Sequence, residues 1–130
     1  MSDDVFPSPI VTTEAPAAIG PYSQGVAAAG LLFVSGQLPL DPKSGDFVAG
    51  GIEAHAHQCL KNLAAVAAKA GTSLSRAVKV TVFLNDLADF TRVNQVYAQY
   101  FQATLPARSA VQVAALPKNA KIEIEAILLL

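Results

Sequence analysis

A single cysteine, Cys59, leaves this 130-residue chain with no possible intrachain disulfide. Charge is scarce as well: Asp, Glu, Lys and Arg make up 15% of the residues, the net charge is -1 at pH 7, and no cluster of Lys and Arg occurs. That balance argues against an electrostatic footprint for nucleic acid or for an anionic membrane surface. No apolar run reaches the length of a bilayer span. The opening segment MSDDVFPSPI holds two aspartates and no basic residue, unlike a signal or transit peptide, so a cytoplasmic location is expected. Also missing are a Gly-rich phosphate loop, a dinucleotide fingerprint, metal-ligand spacing and a Gly-x-Ser-x-Gly elbow.

What the chain has in quantity is apolar side chains, 52% of the total, more than a soluble monomer of this size needs to hide. Subunit contacts are the expected cover. The length suits one domain over residues 1–130, with residues 1–8 a loosely held tail. A first strand is expected near Ile10 to Thr13, a turn at Gly20-Pro21, a strand through Val26, a bend over Ala27 to Gly30 and an apolar strand from Leu31 to Gln37. From Gly51 to Ala70, apolar residues at Ile52, Ala56, Cys59, Leu60, Leu63, Val66, Ala67 and Ala70 mark a helix with one buried stripe, ended by Gly71. Val78, Val80, Val82 and Leu84 then alternate with polar neighbours in a β-branched strand. Asp86 and Asp89 are candidate N-caps of a second helix whose stripe is Phe90, Val93, Tyr97, Tyr100 and Phe101. The resulting order predicts an α+β fold, a single sheet with both helices packed on one face.

The last 26 residues, LPARSAVQVAALPKNAKIEIEAILLL, read as two strands that a turn at Leu116 to Asn119 folds back on each other. Side-chain alternation sets Arg108, Ala110 and Gln112 on one face, away from Ser109, Val111 and Val113. In the final strand Lys121, Glu123 and Glu125 alternate with Ile122, Ile124 and Ala126, and the carboxylate face ends in Ile127 and Leu129. A polar face that turns apolar at one end points to another subunit as its cover.

Few residues could carry chemistry. Arg108 can grip a carboxylate with a planar fork that lysine lacks, or it can form an ordinary ion pair with Glu123 or Glu125. Ser35 and Gly36 close an apolar strand in a manner that suits a site, or serve local hydrogen bonding and backbone relief. Asn94 sits mid-helix, where it either faces water or holds something by hydrogen bond. His55 and His57 point apart on a helix, and His55 with Cys59 makes only two ligands, so a solvated His57 and a buried thiol are expected in place of a metal site.

From about Thr13 to Ile127 the chain resembles the reactive intermediate deaminase A (RidA) family. The resemblance is carried by Ile19-Gly20-Pro21-Tyr22-Ser23-Gln24, Val34-Ser35-Gly36-Gln37, Thr81 to Leu87, Val93-Asn94, and above all Pro106-Ala107-Arg108-Ser109 followed by Ile122-Glu123-Ile124-Glu125-Ala126. It implies a chorismate-mutase-like α+β fold, a single mixed sheet in a homotrimer, with sites in the clefts between subunits. It further implies cofactor-free, metal-free hydrolysis of 2-imino acids and 2-aminoacrylate-type enamines to 2-keto acids and ammonia. By matched motif, Arg108 holds the substrate carboxylate, Glu123 positions or protonates, and Tyr22, Ser35, Gly36 and Asn94 line the pocket. Ala110 stands where many members have cysteine, so only its backbone can serve there. The competing expectation is a non-catalytic trimer that holds small carboxylates or shields other proteins. An endoribonuclease activity, attached to some relatives, suits this charge balance least.

Overall fold

A computed structural model of the chain describes residues 6–130. It contains six strands, β1 (Ser8–Ile10), β2 (Gly25–Ala28), β3 (Leu31–Gln37), β4 (Ala77–Leu84), β5 (Ala107–Gln112) and β6 (Ile122–Leu129), and two helices, α1 (Ile52–Lys69) and α2 (Phe90–Tyr100). The strands form one sheet in the order β1-β2-β3-β6-β4-β5. Only the β4–β5 pair is parallel, so the sheet is mixed.

The alternation in β6 explains its central place. Ile122, Ile124, Ala126 and Leu128 are buried on the helix side, and each faces a buried or half-buried partner in β3 or β4. Both helices join that face: Leu60, Leu63 and Val66 of α1 and Val93, Val96 and Tyr97 of α2 belong to one core cluster with Leu32, Val80 and Val82. The fold expected from the residue pattern is therefore the one observed.

Two expectations about the ends of the chain need correction. β5 and β6 do not fold back on each other, because β4 lies between them and pairs with both. Crossing from β4 through α2 returns the chain parallel to β4 on the sheet's outer edge, and only then can β6 enter the gap between β3 and β4. Val111 is exposed, while Ala110 packs against the core and Arg108 lies beneath α2. At the other end, β1 begins at Ser8, earlier than expected, and the first five residues of the proposed tail lie outside the described residues.

Local signals held more closely. The bend between β2 and β3 tightens to Ala29 (φ 53) and Gly30 (φ 76), both left-handed, as a two-residue hairpin turn requires. Asp86 accepts a hydrogen bond from the Ala88 amide and caps a short 3₁₀ turn, Leu87–Asp89, that leads into α2. Asp89 makes no cap and instead pairs with Arg92 at 2.6 Å. Helix α1 ends in a Schellman motif: Thr72 N donates to Ala67 O and Gly71 N to Ala68 O, both at 3.0 Å, with Gly71 at φ 86. A Cβ at Gly71 meets nothing within 4 Å, so replacing it isolates the backbone cost. Gly71→Ala is expected to lose about 1 kcal/mol of stability in chemical denaturation at fixed protein concentration. An unchanged midpoint would mean the helix end tolerates another geometry.

Candidate active site

The first half of the site is built where β3 breaks register. Pairing with β6 shifts between Val34 and Gln37, and the irregularity falls on Ser35-Gly36. Ser35 is pinned there twice: its amide donates to Gln24 O at 2.9 Å and its hydroxyl donates to Ser23 O at 2.6 Å. Gln24, buried, in turn ties down the preceding strap. It accepts from Thr12 N at 2.7 Å and donates to Thr12 O and Pro16 O at 3.0 and 2.8 Å. Gly36 is not in a left-handed conformation; a Cβ added to it would overlap the carboxylate of Glu123, Oε2 first. Glycine is needed for that close approach.

Glu123, from the uncovered face of β6, and Gly36 face a cleft of about 620 Å³ that Tyr22, Ser35, Lys118 and Glu125 also line. Its floor is held by Asn62, which is 1% exposed and donates to Leu38 O and Leu40 O at 3.1 and 3.0 Å. Glu123 is half-buried. Among the described residues no side chain or amide forms a hydrogen bond or ion pair with its carboxylate; the ion pairs found join Arg92 to Glu53 and Asp89. Burial first, and the negative charge of Glu125 second, push its pKa above the ordinary carboxylate value. A carboxyl group with a raised pKa and no protein partner is available to a ligand as a proton donor or acceptor.

The second half gathers on α2. Phe90, Asn94 and Tyr97 are spaced i, i+4, i+7 and so share a helix face. Arg108 from β5 lies against that face: its guanidinium carbon sits 4.7 Å from the Tyr97 ring centroid and 5.3 Å from that of Phe90, and Nη1 donates to Asn94 Oδ1 at 2.7 Å. Asn94 thus takes one guanidinium N–H and orients the rest. Arg108 and Asn94 line a pocket of about 330 Å³ with Tyr97, Ala98, Leu105 and Pro106. The Tyr97 hydroxyl is buried without a hydrogen-bond partner, and burial raises its pKa while Arg108 opposes the rise. Ala110 follows on the same strand face, packed against the core.

Tyr22, Ser35, Gly36 and Glu123 therefore come together, as do Arg108 and Asn94, but the two groups do not meet within one chain. Arg108 is opposite Val80 on the helix face, whereas Glu123 is opposite Phe83 on the uncovered face, with β4 between them. No ion pair links Arg108 to Glu123 or Glu125 among the described residues, so that ordinary alternative for Arg108 is not what the structure has. Asn94 holds Arg108 and is not merely solvated. His57 is not simply solvated either: its Nδ1 shares a hydrogen bond of 2.9 Å with the Tyr100 hydroxyl and bridges the two helices. Cys59 is fully buried, with burial and then the Glu123 charge raising its thiol pKa. No group of three or more His, Cys, Asp or Glu that could hold a metal ion occurs among the described residues.

Residue reasoning missed four participants. Phe90 and Tyr97 were assigned to a core stripe; their spacing from Asn94 was the available sign that the amide shares their face. Lys118 reads as part of a turn, yet it lines the Glu123 cleft from a left-handed conformation (φ 57). Asn62 gave no sign, since an asparagine inside an apolar helix stripe looks like an interruption until the carbonyls it serves are known.

The fold and the two half-sites define a small α+β protein of one mixed sheet with an arginine and a glutamate presented on opposite faces. Residues 12–129 match the family model described as Endoribonuclease L-PSP, and the chain belongs to this L-PSP/RidA family. It is 53% identical over 118 residues to the 2-iminobutanoate/2-iminopropanoate deaminase of Mus musculus, covering 91% of this chain and 87% of that one. The crystal structure of E. coli TdcF with bound serine superposes with a TM-score of 0.90 at 46% identity, covering 95% and 98% of the two chains. RidA from the Antarctic bacterium Psychrobacter sp. PAMC 21119 gives a TM-score of 0.91 at 44% identity, covering 95% and 99%. No helix of the described residues is long and apolar enough to cross a membrane.

Proposed function

We propose that this chain is a 2-iminobutanoate/2-iminopropanoate deaminase, hydrolysing 2-imino acids and their enamine tautomers to 2-keto acids and ammonia, at a site completed between subunits of a homotrimer. The observation that carries this reading is Glu123: half-buried, raised in pKa, without a protein partner, and aimed at a cleft large enough for a small acid. The curated relatives bearing that activity in their names, at about half identity over most of the chain, supply the substrate class. Serine, bound by TdcF, carries the same carboxylate, carbon and nitrogen unit as a 2-imino acid.

In the proposed mechanism the N–H groups of Arg108 not taken by Asn94 receive the substrate carboxylate as a bidentate pair. Because Arg108 and Glu123 leave opposite sheet faces, the Arg108 that binds the carboxylate comes from one subunit and the Glu123 that handles the proton from its neighbour. For 2-aminoacrylate, the carboxylic acid of Glu123 gives its proton to the CH2 carbon. The C=C pair forms the new C–H bond, the nitrogen lone pair forms C=N⁺, and Glu123 is left as carboxylate. Water then adds to the iminium carbon and returns a proton to Glu123, and the carbinolamine collapses to pyruvate and ammonia. Backbone groups at Ser35-Gly36 and Ala110 orient the substrate. These substrates hydrolyse unaided, so a few placed groups suffice.

The uncovered sheet face supports the trimer. It carries Phe33, Phe83, Val111, Ile127 and Leu129, and Phe33, Val111 and Leu129 are each more than two-fifths exposed in the single chain. Light scattering is expected to return a trimer mass that withstands dilution; a stable monomer would remove the shared site. Ammonia and keto-acid release from freshly generated 2-iminopropanoate, with and without the protein, tests the activity directly. Binding without acceleration would favour a non-catalytic carboxylate-holding trimer.

A further inference from the structure

We propose that Glu125 is a positioning residue for the proton chemistry of Glu123, a second carboxylate set two residues away on the same strand face so that Glu123 keeps its proton until substrate takes it. The inference rests on the deaminase reading above and assigns Glu125 a part in it.

The geometry is local. Alternation along β6 sends Glu123 and Glu125 to the same side of the sheet, and both line the same cleft. The Glu123 carboxylate lies against Gly36, where a methyl group has no room. Two like charges on one side of a cleft disfavour each other's ionised form, and the more buried of the two holds its proton longer. Glu123 is the more buried, and Glu125 is exposed. The raised pKa of Glu123, caused by burial and then by Glu125, agrees in direction.

The other charged and titratable groups around Glu123 do not reverse this. From the turn Pro117–Asn119, Lys118 lines the cleft but makes no ion pair with Glu123. Tyr22 lines it from the strap. β3 contributes only Ser35 and Gly36, and β4 places Phe83 opposite Glu123. Cys59 stands behind the sheet on α1, fully buried. Lys121 lies just before β6, and Lys79 lies beside Glu125 in an adjoining pocket, where its Nζ donates to Ser109 Oγ at 2.9 Å.

A protonated Glu123 supplies the proton that forms the new C–H bond of the enamine, so kcat/KM for 2-aminoacrylate should fall as pH rises through the Glu123 pKa. Glu125→Gln removes the like charge and keeps the shape, so that falling limb should move to lower pH. Glu125→Asp, which restores the charge, should move it back toward the wild-type position. A merely structural role for Glu125 would lower stability or the pH-independent rate without shifting the limb. Carbon-13 NMR titration of Glu123 in the folded wild type and in Glu125→Gln reads the same quantity without turnover. A Glu123 titration that does not move toward lower pH in folded Glu125→Gln overturns the inference. Wild-type protein that titrates as expected but releases no ammonia above the uncatalysed rate overturns the deaminase reading and leaves the coupling of the two carboxylates standing.

Discussion

Arg108→Ala is expected to reduce kcat/KM for 2-iminopropanoate by at least about 100-fold, the loss of two charge-assisted hydrogen bonds at roughly 1.5 kcal/mol or more each. The side chain is exposed in the single chain, and its attachments are a hydrogen bond to Asn94 and the faces of Tyr97 and Phe90. Those contacts contribute about 1 kcal/mol at such a site, so the variant should fold and melt close to the parent. Arg108→Lys keeps the charge but loses the fork, and it also loses the flat surface that lies on Tyr97, so it should recover little of the activity. Lys118 is the one cation that lines the other half-site among the described residues. It comes from the Glu123 side and cannot offer a bidentate grip, so it should not substitute. Melting temperature, scattering mass and imine hydrolysis measured on one preparation separate the possibilities. Full activity in a folded Arg108→Ala trimer would show that the carboxylate is held elsewhere.

How far the sequence disclosed this site follows from which interactions are local. Alternation in Ile122 to Leu129 identified the Glu123 face because a strand's two sides depend only on neighbouring residues. The helix of Ile52 to Lys69 and its glycine stop were legible for the same reason. Strand order was not. Whether β6 pairs with β5 or inserts beside β4 depends on contacts between distant segments, and the turn at Pro117 to Asn119 is compatible with either path. Alternation separated the Arg108 face of β5 from its valine face but could not say which of them the helices adjoin. In this fold Ala110 packs against the core and Arg108 lies against α2 while staying exposed, and Val111 on the other side is exposed too. The grouping of Arg108 with Glu123 rested on the expected fold-back of the last two strands and on family resemblance. Their placement on opposite faces is a property of the sheet, and it is what makes a neighbouring subunit necessary to the proposed site.

Glu123→Gln separates chemistry from packing by sending activity and stability in different directions. Glutamine keeps the length of the side chain that rests on Gly36 and can still hydrogen-bond, but it cannot donate a proton and become an anion. Turnover should fall by roughly 100-fold or more, the usual worth of a positioned acid, while substrate binding through Arg108 changes less. Stability should not fall with it. A carboxyl group whose folded pKa lies above its unfolded value binds its proton more tightly in the native state, so it favours folding at low pH. That benefit is lost as pH rises from the ordinary carboxylate value through the raised folded one. At neutral pH the parent therefore bears the cost either of ionising a half-buried Glu123 beside Glu125 or of taking up a proton to keep it neutral, and glutamine removes that cost. Glu123→Gln should melt at or above the parent temperature near pH 7, and the difference should shrink as the pH is lowered toward the ordinary carboxylate range. Gly36→Ala is the complementary change: it forces the Glu123 carboxylate to move, and it should lower turnover with the acid still present. If Glu123→Gln turns over normally, or if it loses stability and activity together at pH 7, Glu123 is a packing residue and the proton must come from another group.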